Sequence, residues 1–156
     1  MEDLTAKLKE HTFCKDFTRD QVDVIASLST WRDFQTNEVI FRTGDPSDKF
    51  FMVFSGHISI AVFLSDRGTT AIETIGEGDI LGWSWFSPPY QWRFSAMALE
   101  ETGAIAVNGK ALREICEKDH ALGYQILKKL ILVYTQRLEM ARSQILDLTK
   151  HEPFIK

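Results

Sequence analysis

Glu38-Val39-Ile40-Phe41-Arg42-Thr43-Gly44-Asp45-Pro46-Ser47-Asp48-Lys49-Phe50-Phe51-Met52-Val53-Phe54-Ser55-Gly56-His57-Ile58-Ser59-Ile60 is the stretch that decides the fold. Apolar runs at Val39 to Phe41 and Phe50 to Phe54 lead into alternation, with Ile58, Ile60, Val62 and Leu64 interleaved with Ser59, Ala61 and Phe63. A period of two marks a strand with one buried face. The runs are parted by Thr43-Gly44-Asp45-Pro46 and Ser55-Gly56, and the last is followed by Ser65-Asp66-Arg67-Gly68. These residues supply positive φ, a fixed φ, or side-chain bonds to the backbone, which is what tight turns need. Short strands joined by tight turns predict a small barrel or jelly roll.

The pattern extends in both directions. Thr69 to Ile75, Phe94 to Leu99 and Ala104 to Val107 read as further strands. Before Trp31, Leu4, Leu8, Phe13, Phe17, Val22, Ile25 and Leu28 recur at helical spacing in two blocks parted near Phe13 to Thr18. Thr18 with Gln21 has the form of a capping box for the second block. After Val107, Asn108 is placed to cap a helix over Lys110 to Glu117, and from Asp119 one long helix runs with no proline until Pro153. The chain of 156 residues therefore reads as a single domain over 1–156. Helices occupy 1–30, a β-barrel 31–107 and helices again 108–150, a mainly β protein with flanking helices (α+β).

Composition narrows the function. Acidic residues outnumber basic ones 22 to 18, for a net charge of -4, the wrong balance for a phosphate backbone, so no nucleic acid is expected as a partner of this chain alone. Cys14 and Cys116 are far apart with no C-x-x-C pairing, which suits a reducing compartment. The first residues carry no apolar signal core, and no apolar run approaches the ~18 residues of a membrane span. A cytoplasmic protein with no membrane partner is expected. His57 stands alone on its strand and His11, His120 and His151 are scattered, so no metal cluster is expected. There is no nucleophile with a base at motif spacing and no phosphate-loop lysine, so neither an enzyme nor a bound cofactor is expected.

Gly76-Glu-Gly-Asp-Ile-Leu-Gly82-Trp-Ser-Trp-Phe-Ser-Pro-Pro-Tyr-Gln-Trp-Arg93-Phe-Ser-Ala-Met-Ala-Leu99 interrupts the strands. Its glycines permit sharp turns that leave amides pointing outward, and Arg93 brings a planar fork suited to phosphate or carboxylate. Trp83, Trp85, Phe86, Tyr90 and Trp92 admit a second reading, a hydrophobic plug buried for its area alone. On the long helix, Leu127, Tyr134, Ala141 and Leu148 recur every seven residues, with Leu130 or Ile131, Leu138 and Ile145 in the intervals. Roughly 30 residues at 1.5 Å each extend about 45 Å, past the reach of a small barrel, so a helix-to-helix homodimer is expected, with packing on its own domain as the competing account.

This order of helices, strands, glycine-rich stretch, strands and long helix resembles the cyclic nucleotide-binding domain of bacterial catabolite activators, kinase regulatory subunits and gated channels. The resemblance covers nearly the whole chain and is most specific over Glu38 to Ile60, where both turn glycines coincide. It implies a double-stranded β-helix, or jelly roll, with N-terminal helices and a C-terminal dimerisation helix. It also implies a phosphate-binding cassette, over 76–95, that begins at a glycine, continues with a glutamate for the sugar hydroxyl and closes with an arginine on the phosphate. Gly82 takes the glycine position and, without a gap, Arg93 takes the arginine position, with Ser95 where a small residue is usual. Trp83 replaces the glutamate and Phe94 an expected hydroxyl, while Ala141 and Arg142 stand where bacterial relatives offer threonine and serine to the purine. A register slid by one instead sets Trp92 opposite the arginine and lets Ala98-Leu99-Glu100 match a common family ending. The ungapped register is preferred here because it keeps a charge at the end of the cassette.

The expected function is a stand-alone regulatory domain that senses a small anion, a cyclic nucleotide or another. Its expected ligand contacts are Gly82, Trp83, Ser84, Trp85, Arg93, Phe94 and Ser95, and its signal passes through a dimer helix with Leu127, Tyr134, Leu138, Ala141, Ile145 and Leu148. The alternative is a ligand-independent dimerising or docking module whose pocket is filled by its own tryptophans. DNA-binding relatives continue past the long helix into a helix-turn-helix, whereas this sequence stops at Lys156. Either the signal passes to a separate output protein, or the sequence is part of a longer one.

Overall fold

Ile58 and Ile60 turn inward and are fully buried while Phe63 is exposed, so the alternation around Gly56 does set a strand with one wet face. The computed structural model describes residues 3–149. Residue 150 of the predicted helical segment, His151 and the stop at Pro153 lie outside them. The turn at Gly56 demands glycine: its φ is +85°, and a Cβ there would meet Thr102 Oγ1 at 2.3 Å.

Among the described residues eight strands form two antiparallel sheets, a jelly roll. One sheet has the order β1 (Ser29–Phe34), β8 (Thr102–Asn108), β3 (Lys49–Ser55) and β6 (Ile80–Leu81). The other has β2 (Val39–Phe41), β7 (Ser95–Ala98), β4 (His57–Leu64) and β5 (Gly68–Gly76). The run Phe50 to Phe54 is almost continuously apolar because β3 is covered on both faces. Phe51 and Val53 face the second sheet with Phe41, Ile58, Ile60, Ile75, Leu81 and Trp92. Phe50 and Met52 face the helices with Leu8, Ile25, Trp85, Leu112, Leu122 and Ile126. The molecule thus has two cores on opposite faces of one sheet, and each has its own tryptophan.

Capping side chains mark the starts of the helices. α1 (Leu4–Glu10) and α2 (Arg19–Ser27) flank a 3₁₀ turn at Thr12–Cys14, and Thr18 and Gln21 close a reciprocal capping box. Asn108 caps α3 (Gly109–Cys116) by accepting from Ala111 N at 3.0 Å, and Asp119 caps α4 (His120–Leu148) by accepting from Leu122 N at 3.1 Å. Two strands escape the sequence reading. β1 starts at Ser29 and buries only Phe34, so as an edge strand it shows little apolar alternation. β6 has two residues and lies inside the glycine-rich stretch.

α4 divides along its length. Leu122, Gly123, Ile126 and Leu130 are buried against the domain, so Leu130 belongs to the core and Ile131 takes its interval in the outer stripe. Leu127, Ile131, Tyr134, Leu138, Ile145 and Leu148 are all exposed in the single chain, as is Ala141. No helix among the described residues is long and apolar enough to cross a membrane.

Candidate functional site

The glycine-rich stretch folds as a looped-out cassette between β5 and β7. After β5 the chain turns through Gly76 to Asp79, with Gly76 N donating to Asp79 Oδ2 at 2.9 Å and Gly78 N to the Val53 carbonyl at 3.0 Å. It then adds β6 to the first sheet, reverses at Gly82, makes a 3₁₀ turn at Ser84–Phe86 and passes a cis Pro88-Pro89 peptide. Gly82 has φ +90°, and a Cβ there would lie 2.5 Å from the Trp92 ring. Only glycine tolerates that conformation together with that neighbour.

Trp92 fills the space this glycine opens. Its indole is 5% exposed and stacks on Phe41 with centroids 3.6 Å apart and planes 5° from parallel. Phe94 joins from the same face of the chain, tilted at 5.5 Å from Phe41 and 5.3 Å from Trp83. Trp83 is half-buried above them and is itself covered by α4: Tyr134 meets it edge-on at 5.5 Å, and the Arg137 guanidinium lies 5.4 Å from its ring centre. Arg137 also pairs with Glu73 of β5. Burial lowers the pKa of Arg137. Burial raises that of Tyr134, against an opposing pull from the Arg93 charge.

Ser84 and Trp85 belong to the other core. Trp85 is fully buried, stacks on Phe50 at 4.8 Å and meets Phe86 edge-on at 5.1 Å. A Cβ on Gly109 would come within 2.9 Å of it, so α3 packs directly on the indole. The Arg113 guanidinium donates to the Trp85 carbonyl and lies 3.7 Å from the Tyr90 ring centre, tying the cassette to α3. Ser84 Oγ is buried without a protein partner.

Arg93 and Ser95 take the opposite face. Arg93 is exposed, and its Nη2 donates to the Pro88 carbonyl at 3.4 Å. Ser95 Oγ accepts from Thr43 N at 3.0 Å, on β7's outer side. Inward positions from the cassette into β7 are therefore Trp92, Phe94, Ala96 and Ala98. Strand alternation aims Trp92 inward and turns Arg93 out, the directions that the register slid by one expects and the ungapped register does not. The Trp92 indole fills the space between Gly82 and Phe41.

The sequence-predicted contacts are thus divided. Gly82, Trp83 and Phe94 come together around Trp92, Ser84 and Trp85 lie on α3's side, and Arg93 and Ser95 lie outside. Sequence reasoning missed Arg113, Glu73 and Arg137, whose partners are 28, 64 and 64 positions away in sequence. Among the described residues there is no group of three or more His, Cys, Asp or Glu placed to hold a metal ion.

Comparison with known proteins agrees with the architecture. The family model for the cyclic nucleotide-binding domain matches residues 31–119. An anaerobic regulatory protein of Bacillus subtilis strain 168 is 25% identical over 133 residues, covering 85% of this chain and 54% of that protein. A CRP-like cAMP-activated global transcriptional regulator of Mycobacterium tuberculosis is 25% identical over 117 residues, covering 74% and 50%. The chain spans about half the length of these curated relatives. A crystal structure of a proposed cyclic nucleotide-binding protein from Geobacter metallireducens GS-15 superposes with a TM-score of 0.79 at 26% identity, covering 88% of this chain and 99% of that one.

Proposed function

The chain belongs to the cyclic nucleotide-binding domain family and is a regulatory domain of that kind, not an enzyme, and from this premise we propose that it works without a nucleotide because its ligand pocket is filled by its own side chains. One observation carries the reading: Trp92 sits against Gly82 and stacks on Phe41, in the position that the cassette's arginine would take. Trp83, where the sugar-holding glutamate would stand, is already covered by Tyr134 and Arg137. The domain then presents α4 in one fixed arrangement, and its exposed stripe of Leu127, Ile131, Tyr134, Leu138, Ile145 and Leu148 joins a second copy as a helix pair. The output passes along that pair to a separate protein or to further chain.

Thermal unfolding with cyclic AMP, cyclic GMP and a panel of small anions tests this. A ligand at ~100 times its dissociation constant stabilises by ~2.7 kcal/mol and raises the midpoint by several degrees. The expected result is no shift with any of them. A shift that disappears in Arg93→Ala would overturn the self-filled pocket and establish anion sensing through Arg93 and the Gly82 to Trp85 backbone. Sedimentation tests the helix pair: Leu138→Glu with Ile145→Glu is expected to turn a dimer into a folded monomer, and a monomeric wild type would remove that part of the proposal.

A further inference from the structure

α4 leaves the domain at Arg137. Its side chain is the last on the helix to be mostly covered, and every described residue from Leu138 onward is exposed, with Met140 only half so where it lines a groove beside Glu73. About 16 Å of helix, at 1.5 Å per residue, therefore follows this last shielded contact. What holds the anchor determines where that free length points, because a small tilt at the base displaces the tip by several ångströms.

Three contacts converge on the anchor. The Arg137 guanidinium donates to Glu73 Oε1, with the two side chains only 15% and 16% exposed. The same guanidinium lies 5.4 Å from the Trp83 ring centre, and Tyr134, one turn earlier, closes on the edge of that ring at 5.5 Å. Glu73 reaches α4 because β5 carries a bulge: Ile60 pairs with Glu73 but Ala61 with Ala71, which leaves Ile72 as the extra residue. Other ion pairs among the described residues differ. Lys129 with Asp16, His57 with Glu100 and Arg67 with Asp66 each have at least one side chain more than half exposed, where solvent weakens a pair to little consequence. Removing one partner of a shielded pair leaves the other charge stranded in a poorly solvated place, so such a contact is either kept or the helix moves away.

We infer that Glu73, Arg137 and Trp83 form an internal tie that takes over the ligand's part in positioning α4, fixing the angle at which its free length is presented to a partner. Arg137 and Glu73 are positioning residues: they touch no ligand and act through the helix. The inference rests on the self-filled reading, since a bound ligand would otherwise set the helix. The tie also explains the substitution at Trp83. A glutamate there would compete with Glu73 for the guanidinium, whereas an indole offers its face and leaves the ion pair intact.

Hydrogen exchange on the full chain tests the tie, comparing amides over 131–140 with those over 120–130. In Arg137→Met and in Glu73→Ala, exchange over 131–140 is expected to rise about tenfold or more, while 120–130 and strands β3 and β8 stay protected. Arg142→Met removes an exposed cation from the same helix and is expected to leave exchange within twofold of the wild type. If Arg137→Met does not fold, Glu73→Ala carries the test, because it truncates a side chain on an edge strand. Wild-type exchange in Glu73→Ala, or an equal rise in Arg142→Met, would overturn the tie. Nucleotide titration of the wild type decides the self-filled pocket separately. Binding there with a positive exchange result would leave the tie as a contact and remove its role as a ligand substitute.

Discussion

Trp85 and Trp92 lie seven positions apart on one loop and serve different cores. Trp85 is closed in between Phe50, Phe86 and the backbone of α3 at Gly109. It joins the helical layer to the first sheet. Trp92 lies between the two sheets, flat on Phe41 and against Gly82. Burial does not separate the two, at 0% and 5% exposed. Their neighbours do: one indole is pinned by a helix the fold needs, and the other fills the space between the two sheets that, on the proposed reading, would otherwise take a ligand. A buried tryptophan in such a loop is therefore informative only once the face of the sheet that it meets is known.

The largest effect that would sharpen this contrast is at Trp85. Trp85→Ala is expected to cost about 3–5 kcal/mol, because α3 and β3 cannot both collapse into the vacated volume. Urea unfolding would measure it, and a cost below about 1 kcal/mol would mean that the helical layer does not depend on this residue. Trp92→Ala comes next, at about 3 kcal/mol, toward the lower end of the same range, because the vacated space adjoins a surface groove lined by Arg32, Asp45 and Lys49 and can take up water. The two variants should also differ in kind. Trp92→Ala is expected to remain cooperative and to gain stability from small aromatic molecules added to the buffer, whereas Trp85→Ala is not.

Gly82→Ala is smaller, at about 1–3 kcal/mol. It combines a left-handed backbone with a methyl group driven into the Trp92 ring. In the double variant Gly82→Ala with Trp92→Ala the methyl has room, so the summed cost should fall short of additivity by about 0.5 kcal/mol or more. Strict additivity in a double-mutant cycle would show that Gly82 and Trp92 are not in contact and would break the comparison at its base.

The barrel was legible because its signals are local and repeated: turn glycines, alternating apolar positions and helix caps each act within a few residues. Asn108 and the Thr18 with Gln21 pair cap where they were read, and the long helix starts at Asp119 as expected, with that residue as its cap. The direction of the cassette side chains was not legible. A slip of one residue reverses every side chain of a strand, and the loop between Gly82 and Ser95 takes up that residue without leaving a mark in the sequence. Arg93, the only cation between Gly82 and Leu99, drew the register toward itself, while the stacking of Trp92 on Phe41 depends on strands far apart in the chain. Glu73 was hidden for a related reason. The bulge at Ile72 alters which β5 residues share a face, and nothing in Thr69 to Ile75 announces it.

The smallest expected effect concerns acid and separates the two cores by charge. His11 is buried at 4% exposed beside Phe54, on the side of the first sheet that Trp85 occupies, and its Nδ1 accepts from Phe13 N at 3.2 Å. The ring is therefore neutral, with its proton on Nε2. Burial lowers its pKa below 6.5, outweighing the carbonyls of Val53 and Asp79 and the Asp79 carboxylate, which favour the charged form. The sign follows from the lowered value. Below pH 6.5 the unfolded chain takes up the proton before the folded one does, so stability falls as pH drops from 6.5 toward the folded-state pKa, with a slope of at most about 1.4 kcal/mol per pH unit. Charging also puts a proton on Nδ1 and removes the acceptor for Phe13 N, so the loss should begin at the 3₁₀ turn and the first helix. Trp92 has no such group in its core, so hydrogen exchange at pH 5.5 is expected to rise first over residues 4–14 while β4 and β7 stay protected. His11→Gln, which keeps an acceptor without a titrating ring, should flatten the slope between pH 5 and 7. A slope unchanged in that variant would assign the acid sensitivity elsewhere.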